Sequence, residues 1–175
     1  MTDVRDALKH TLIRTVEATC EILTFMFPMP PPEDDTAGER SEEIARVRVH
    51  FDGPFAGSLL LGMPRSMLPA LAANMLGVDA ETTTPEQRED AASELCNVVC
   101  GNLLPAVAGA RPVFTVGAPK LCERAPSAAP EARVSGRAWF DEGWVEAEFV
   151  VDEGLVALSS SFDPRDASAR SEPGA

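Results

Sequence analysis

Residues 84–105 read TPEQREDAASELCNVVCGNLLP, and they carry the clearest local signal in the chain. Thr84 is a good N-cap, Pro85 suits the first helical position, and Gln87 completes a capping box. The spacing predicts a helix from Pro85 to about Leu104, where Pro105 kinks or ends it. On a wheel of about 100° per residue, Ala92, Leu95, Cys96, Val99, Leu103 and Ala106 gather on one side and face a core. Asp90, Glu94, Asn97 and Gly101 gather opposite them, within a sector of roughly 60°.

Upstream of this helix, Val4, Leu8, Leu12, Val16, Cys20, Leu23 and Phe27 draw a second helical stripe over residues 3–27, stopped by Pro28. Residues 28–43 are rich in proline and acid and read as a surface loop. Val47, Val49 and Phe51 alternate with Arg46, Arg48 and His50, the pattern of a half-buried strand. Asp52-Gly53 supplies a turn, and Phe55 to Leu61 returns as a second strand. A shorter helix over 64–76 has Ser66 as its N-cap candidate, Pro69 in its first turn and Gly77 just past its end.

Downstream, Val113 to Val116 is a short strand candidate, and a Pro/Ala-rich loop runs from Arg124 to Ala132. Arg133–Phe140 and Trp144–Val151 flank Asp141-Glu142-Gly143 as a hairpin. Val145, Ala147, Phe149 and Val151 share one face of its second strand, with Glu146 and Glu148 on the other. Leu155 to Phe162 could form a last strand, and residues 163–175 read as a frayed tail. Each half thus supplies a long helix and a hairpin, a layout of internal duplication. We expect one α+β domain over residues 1–162, its long helices packed on an antiparallel-rich sheet.

Composition narrows the function. With 15 basic and 28 acidic side chains the formal net charge is −13, which argues against nucleic acid or an anionic membrane surface as partner. No apolar run approaches the roughly 20 residues that span a bilayer. The first residues begin an amphipathic pattern and not a signal peptide, so the expected compartment is cytoplasmic. Cys20, Cys96, Cys100 and Cys122 fit that compartment as reduced thiols. Cys96 and Cys100 stand at zinc-compatible spacing, but His10 and His50 are remote and no CxxC occurs, so no metal is expected.

The polar face of the 85–104 helix departs from a face filled for stability alone. Asn97 and Gly101 cost about 0.7 and 1 kcal/mol relative to Ala in an exposed helix interior. Gly101 bares the backbone to close approach, and Glu94 has Val98, no base, four positions on. Asn102 lies about 140° from Asn97 and reads as a buttress of the fold.

Asp90-Ala-Ala-Ser-Glu94-Leu-Cys-Asn97-Val-Val-Cys-Gly101-Asn102 resembles the signature helix of the CheX/CheC/FliY phosphatases. In that family an Asp or Ser, a Glu and an Asn follow one another at this spacing, with a proline further on. Pro119 is the counterpart of that proline, with a spacer one residue short. The long first helix, the Gly57-Ser58-Leu59-Leu60 stretch, the Met-Leu-Gly77 helix end and the final hairpin also look CheX-like, so the resemblance covers residues 3–151.

The resemblance implies a CheC-like fold and hydrolysis of the aspartyl phosphate on a CheY-like response-regulator receiver domain. Asn97 would orient the attacking water through its amide, and Glu94 would engage a basic receiver side chain. Asp90 and Gly101 would lie in the contact with the partner. Asp90 either tunes the site or complements the helix dipole. The chain would need no cofactor of its own, Mg2+ belonging to the receiver. A single motif per chain implies a homodimer joined through sheet edges, as in CheX relatives.

Two rivals stand beside this reading. One is a non-catalytic receiver-binding or flagellar-switch-like module of the same fold. The other is a small enzyme using Glu94 as a general base, against which no second convergent acid, base or metal cluster is visible.

Overall fold

A computed structural model describes residues 2–33, 42–123 and 130–153. The proposed strand over 155–162, the tail 163–175, the acidic residues 34–41 and residues 124–129 of the Pro/Ala-rich loop lie outside the described residues. In chain order the elements are α1 (Thr2–Thr24), β1 (Pro28–Met29), β2 (Ile44–Asp52), β3 (Gly57–Pro64), α2 (Leu68–Leu76) and α3 (Pro85–Ala108). Then come β4 (Thr115–Val116), β5 (Lys120–Leu121), β6 (Arg133–Phe140) and β7 (Gly143–Val151). The strands form one antiparallel sheet in the order β1-β6-β7-β3-β2-β4, with β5 also on β2.

The two hairpins, β2–β3 and β6–β7, meet at the centre, where Leu59 opposes Phe149 and Leu61 opposes Ala147. Each half therefore contributes a long helix and a hairpin, and the fold is α+β as expected. The helices do not stay with their own half: α1 lies against β6 and β7, and α3 against β2 and β3. Alternation explains the core. Val47, Val49 and Phe51 join Leu59, Leu61 and Met63, Val145, Ala147, Phe149 and Val151, and Val134 and Ala138, all buried beneath the helices. Phe51 stacks on Phe149 at 5.4 Å and meets Phe55 and Phe114 edge-on, closing one end of this layer.

Several boundaries differ from the sequence reading. The first helix stops at Thr24, because Phe25 takes a left-handed conformation (φ 55) that shifts the phase of the chain. Met26 becomes the fully buried residue and Phe27 is exposed, the reverse of the expected stripe. Pro28 and Met29 are no loop; they pair with Phe140 and Trp139 as an edge strand. Ser66 does not cap α2. Its hydroxyl donates to Glu42 at 2.6 Å, and a single tight turn, Arg65–Met67, precedes the helix. Pro69 and Gly77 (φ 68) occupy their expected first-turn and C-terminal places.

Other differences concern α3 and the strand segments after it. α3 runs past Pro105 to Ala108, closed by the Gly109 N–H donating to the Pro105 carbonyl at 2.9 Å. By length and mean composition α3 is apolar enough to cross a membrane, although polar residues interrupt its apolar run, and more than half of that stretch is buried inside the fold. The strand expected at 113–116 shortens to Thr115–Val116, and β5 had no signal in the pattern.

The helix-free face of the sheet carries the alternate residues: Arg46, Arg48 and His50, then Ser58, Leu60 and Gly62, then Trp144, Glu146, Glu148 and Val150, then Arg133, Ser135, Arg137 and Trp139. Glu148 is only 9% exposed there. Burial pushes its carboxyl above the ordinary value of 4.5, while Arg133 pulls the other way. The folded protein therefore holds a proton the unfolded chain releases. This site contributes stability below pH 4.5 that is lost as pH rises through the raised folded value. Glu148→Gln is expected to melt higher than wild type at neutral pH, with the gap closing on acidification toward pH 4.5. Paired thermal melts across that range measure it, and a gap that fails to close would contradict the assignment.

Candidate functional site

The site helix, α3, is pinned at both ends and along its length. The Thr84 hydroxyl accepts from the Gln87 N–H at 3.2 Å, and the Gln87 side chain accepts from the Thr84 N–H at 2.9 Å. This is the reciprocal capping that the sequence implied, and it satisfies two helix-end donors. Arg88 Nε donates to the Thr83 hydroxyl at 2.8 Å. In the middle, the Cys96 thiol donates to the Val47 carbonyl at 3.6 Å, tying the helix to β2. Further on, the Asn102 amide donates to the Thr19 hydroxyl of α1 at 3.2 Å, the buttress expected of it.

The buried arc of α3 is wider than the wheel implied. Ala91, Cys100, Leu104 and Val107 are buried together with Ala92, Leu95, Cys96, Val99 and Leu103, while Ala106 is only half-buried. The reason is that α3 touches α1, α2 and the sheet at once. Along the middle of the outward face run Asp90, Glu94 and Gly101, exposed, with Asn97 half-buried among them; Glu86, Gln87, Asn102 and Pro105 are exposed beside this strip. At a rise of 1.5 Å per residue, Asp90 to Gly101 spans roughly 16 Å of one face.

Asp90, Glu94 and Asn97 make no side-chain hydrogen bond or ion pair among the described residues. Their polar groups point outward and are available to another molecule. Asp90 lies beyond the first helical turn, whose acid is Glu86, so complementing the helix dipole does not account for it. A Cβ built on Gly101 meets nothing within 4 Å, so no packing contact demands glycine there. Pro119 is half-buried in the turn between β4 and β5, both of which touch α3.

The chemistry of the strip is one carboxylate and one primary amide beside a bare helical step. The neighbouring thiols do not add a nucleophile. Burial pushes Cys20 and Cys100 up to about 12 and Cys96 higher still, so all three stay protonated at neutral pH. No group of three or more His, Cys, Asp or Glu able to hold a metal occurs among the described residues. Such a strip suits docking onto a molecule that brings its own reactive group. Sequence reasoning overlooked a second polar cluster on the helix-free sheet face, although Arg46 and Arg48 already alternated with the core residues of β2.

Comparison with known proteins places these features. The family described as chemotaxis phosphatase CheX matches residues 46–136, which include the first hairpin from Arg46 onward and the whole strip. A search of curated protein sequences found no match. Among solved structures, a CheX chemotaxis protein of Desulfovibrio desulfuricans superimposes with a TM-score of 0.65 at 14% identity, covering 83% of this chain and 99% of that one. FliY of Thermotoga maritima gives 0.62 at 13% identity, covering 93% and 96%. A CheX–CheY–BeF3–Mg2+ complex from Borrelia burgdorferi gives 0.56 at 12% identity, covering 81% and 96%. At these identities the likeness is one of fold.

A structural reason for Gly101 also exists: it stands four residues before Pro105, whose ring crowds the carbonyl at that position. The open space around it favours the other account. Gly101→Ala is then expected to raise stability by up to about 1 kcal/mol, measured by denaturant titration. A loss of stability would instead assign the glycine to relief of Pro105.

Proposed function

Because this chain belongs to the CheX family of chemotaxis phosphatases, we propose that it hydrolyses the aspartyl phosphate of a CheY-like response-regulator receiver domain. Asn97 orients the attacking water, and Glu94 docks to the receiver. The observation that carries this reading is the strip itself: a carboxylate and an amide with no partner within the described fold, on the one helix held rigid from three sides. The complex of a CheX with CheY in Borrelia supports a receiver as the partner.

The chemistry asks little of this chain. Water attacks phosphorus, the bond from phosphorus to the aspartyl oxygen breaks, and the products are inorganic phosphate and a free carboxylate. An acyl phosphate is already labile, so fixing the direction of the water can be enough without a strong base. The Asn97 amide supplies both an acceptor for a water proton and a donor toward the phosphoryl oxygens. Its half-buried setting limits the rotamers it must give up on docking. Glu94, one turn earlier and fully outward, reaches a basic side chain on the receiver. Asp90 and Gly101 extend the contact, the glycine by letting the receiver's backbone approach. Mg2+ belongs to the receiver in this scheme.

With a net charge of −13, long-range attraction does not assist association with an acidic receiver. The local pairing at Glu94 then decides which basic group faces the strip.

The working unit in this reading is a homodimer joined at a sheet edge. Around the edge strand β1, Ile22 (79%), Phe25 (66%), Phe27 (58%) and Met29 (51%) stand exposed. An apolar group of this size on an acidic chain is a natural contact for a second copy.

Phosphate release from phosphorylated receivers tests the catalytic claim. Wild type accelerates it, Asn97→Ala lowers kcat by roughly 100-fold, and Glu94→Ala acts chiefly on KM. Gly101→Ala weakens receiver binding while leaving the fold intact. Binding of a phosphorylated receiver without faster release would leave the non-catalytic module as the better account. Light scattering reads the dimer, and Phe27→Glu is expected to yield monomer; an unchanged mass would move the interface elsewhere.

A further inference from the structure

The helix-free face of the sheet holds a second polar site, unrelated to α3. A cleft of about 350 Å³ crosses the four central strands, lined by Arg46, Leu60, Gly62, Arg133, Ser135, Glu146 and Glu148. At the share of liquid volume taken by one water, that is room for about ten waters. Its charges are unevenly matched. Arg133 Nη1 donates to Glu148 Oε2 at 3.5 Å, and Arg137 pairs with Glu146 at 3.8 Å while lying 4.2 Å over the Trp144 ring. Arg46 and Arg48 make no ion pair or hydrogen bond through their side chains among the described residues.

Among the described residues, two buried polar side-chain atoms lack any partner: Nε of Arg48, a donor, and Oε1 of Glu148, an acceptor. They belong to one cross-strand row, Arg48–Leu60–Glu148–Ser135. Arg48 is close enough to act electrostatically on the Glu148 carboxylate. Buried groups of this kind are nearly always bonded, because leaving them bare forfeits their hydration. Here Arg46, without an ion pair, and the incompletely bonded Glu148 line the same hollow, and Arg48 stands in the row of Glu148, on a chain otherwise strongly acidic.

We propose that this cleft binds a small dianion that also carries a hydroxyl or amine donor, either a phosphate monoester or a dicarboxylate. The anionic end lies against Arg46, which lines the cleft and can grip an oxyanion in a forked geometry, and Arg48, in the adjoining row, adds its charge from the cleft's border. The donor fills the vacant valence of Glu148 Oε1. Leu60 and Gly62 form the floor, and the absence of a side chain at Gly62 keeps the hollow open. The site is independent of the receiver-docking strip, which lies on the opposite side of the sheet.

The protein's only two tryptophans, Trp139 and Trp144, stand on this face against Arg137, whose partner Glu146 lines the cleft, so intrinsic fluorescence is read beside isothermal titration calorimetry. Titration at low salt with glycerol 3-phosphate and with malate is expected to give a saturable change at or below about 1 mM for at least one of them. The tighter of the two identifies the anionic head. Sulfate, a dianion without a donor at neutral pH, is expected to bind at least about tenfold more weakly. Arg46→Met/Arg48→Met should weaken the preferred probe by at least about tenfold, its fold checked by thermal melting. Should that variant not fold, Arg46→Met alone carries the same expectation, since its side chain makes no bond within the described fold. Absence of saturation up to about 10 mM, sulfate binding as well as the other probes, or undiminished binding by the arginine variant would each overturn the proposal. A cleft that merely holds water gives the first of these results.

Discussion

The antiparallel pairing of β3 with β7 is the constraint on which the rest depends. It joins the two halves of the chain back to back, so that each hairpin shields the inner strand of the other. Because α1 then crosses onto β6 and β7, and α3 onto β2 and β3, neither half can bury its own apolar surface alone. Fully buried leucines such as Leu12, Leu59 and Leu95 each contribute roughly 1.5–3 kcal/mol, and they do so only when both halves are in place. Folding of the domain and construction of the site are therefore expected to be coupled.

That arrangement explains why α3 is a good platform. A helix lying on one surface exposes half its circumference, and most of its polar residues are merely solvated. α3 touches α1, α2 and the sheet, which holds it firmly while its outward face, with Asp90, Glu94, Asn97 and Gly101 along the middle, stays open. Asn97 and Gly101 weaken the helix where they stand, and the capping box at Thr84 and Gln87, the thiol bond of Cys96 and the Asn102 tether offset the loss. Rigid support beneath a weakly helical strip is what the proposed positioning of a water by Asn97 would require.

Much of this was legible in the residues because the signals are local. The capping box is a matter of four adjacent positions, and the hairpin over 133–151 follows from alternation around Asp141-Glu142-Gly143; both stand where the pattern put them. The polar strip was legible for the same reason, since helical spacing fixes which residues share a face. What was not legible depended on partners distant in sequence. The end of α1 turns on Phe25 adopting a left-handed conformation, which its apolar side chain does not announce. Pro28 and Met29 are strand only because Phe140 and Trp139 lie beside them, and Ser66 is drawn from its capping role by Glu42. The burial of Ala91, Cys100, Leu104 and Val107 needed knowledge that three elements, not one, surround α3.

The same reasoning separates the two faces of the sheet. In a half-buried strand the outward residues are usually scattered in sign and well hydrated, and they carry little information. Here the register sets Arg46 level with Gly62, Glu146 and Arg137, and Arg48 level with Leu60, Glu148 and Ser135. Small and apolar residues on β3 lie low between taller charged neighbours on β2 and β7, and the hollow follows from that difference in height. Long guanidinium side chains then cover the floor, which is why Glu148 is nearly buried on a face no helix covers. Neither hairpin alone contains the hollow. It comes into being where β3 pairs with β7, so the contact that unites the two halves also creates the cleft.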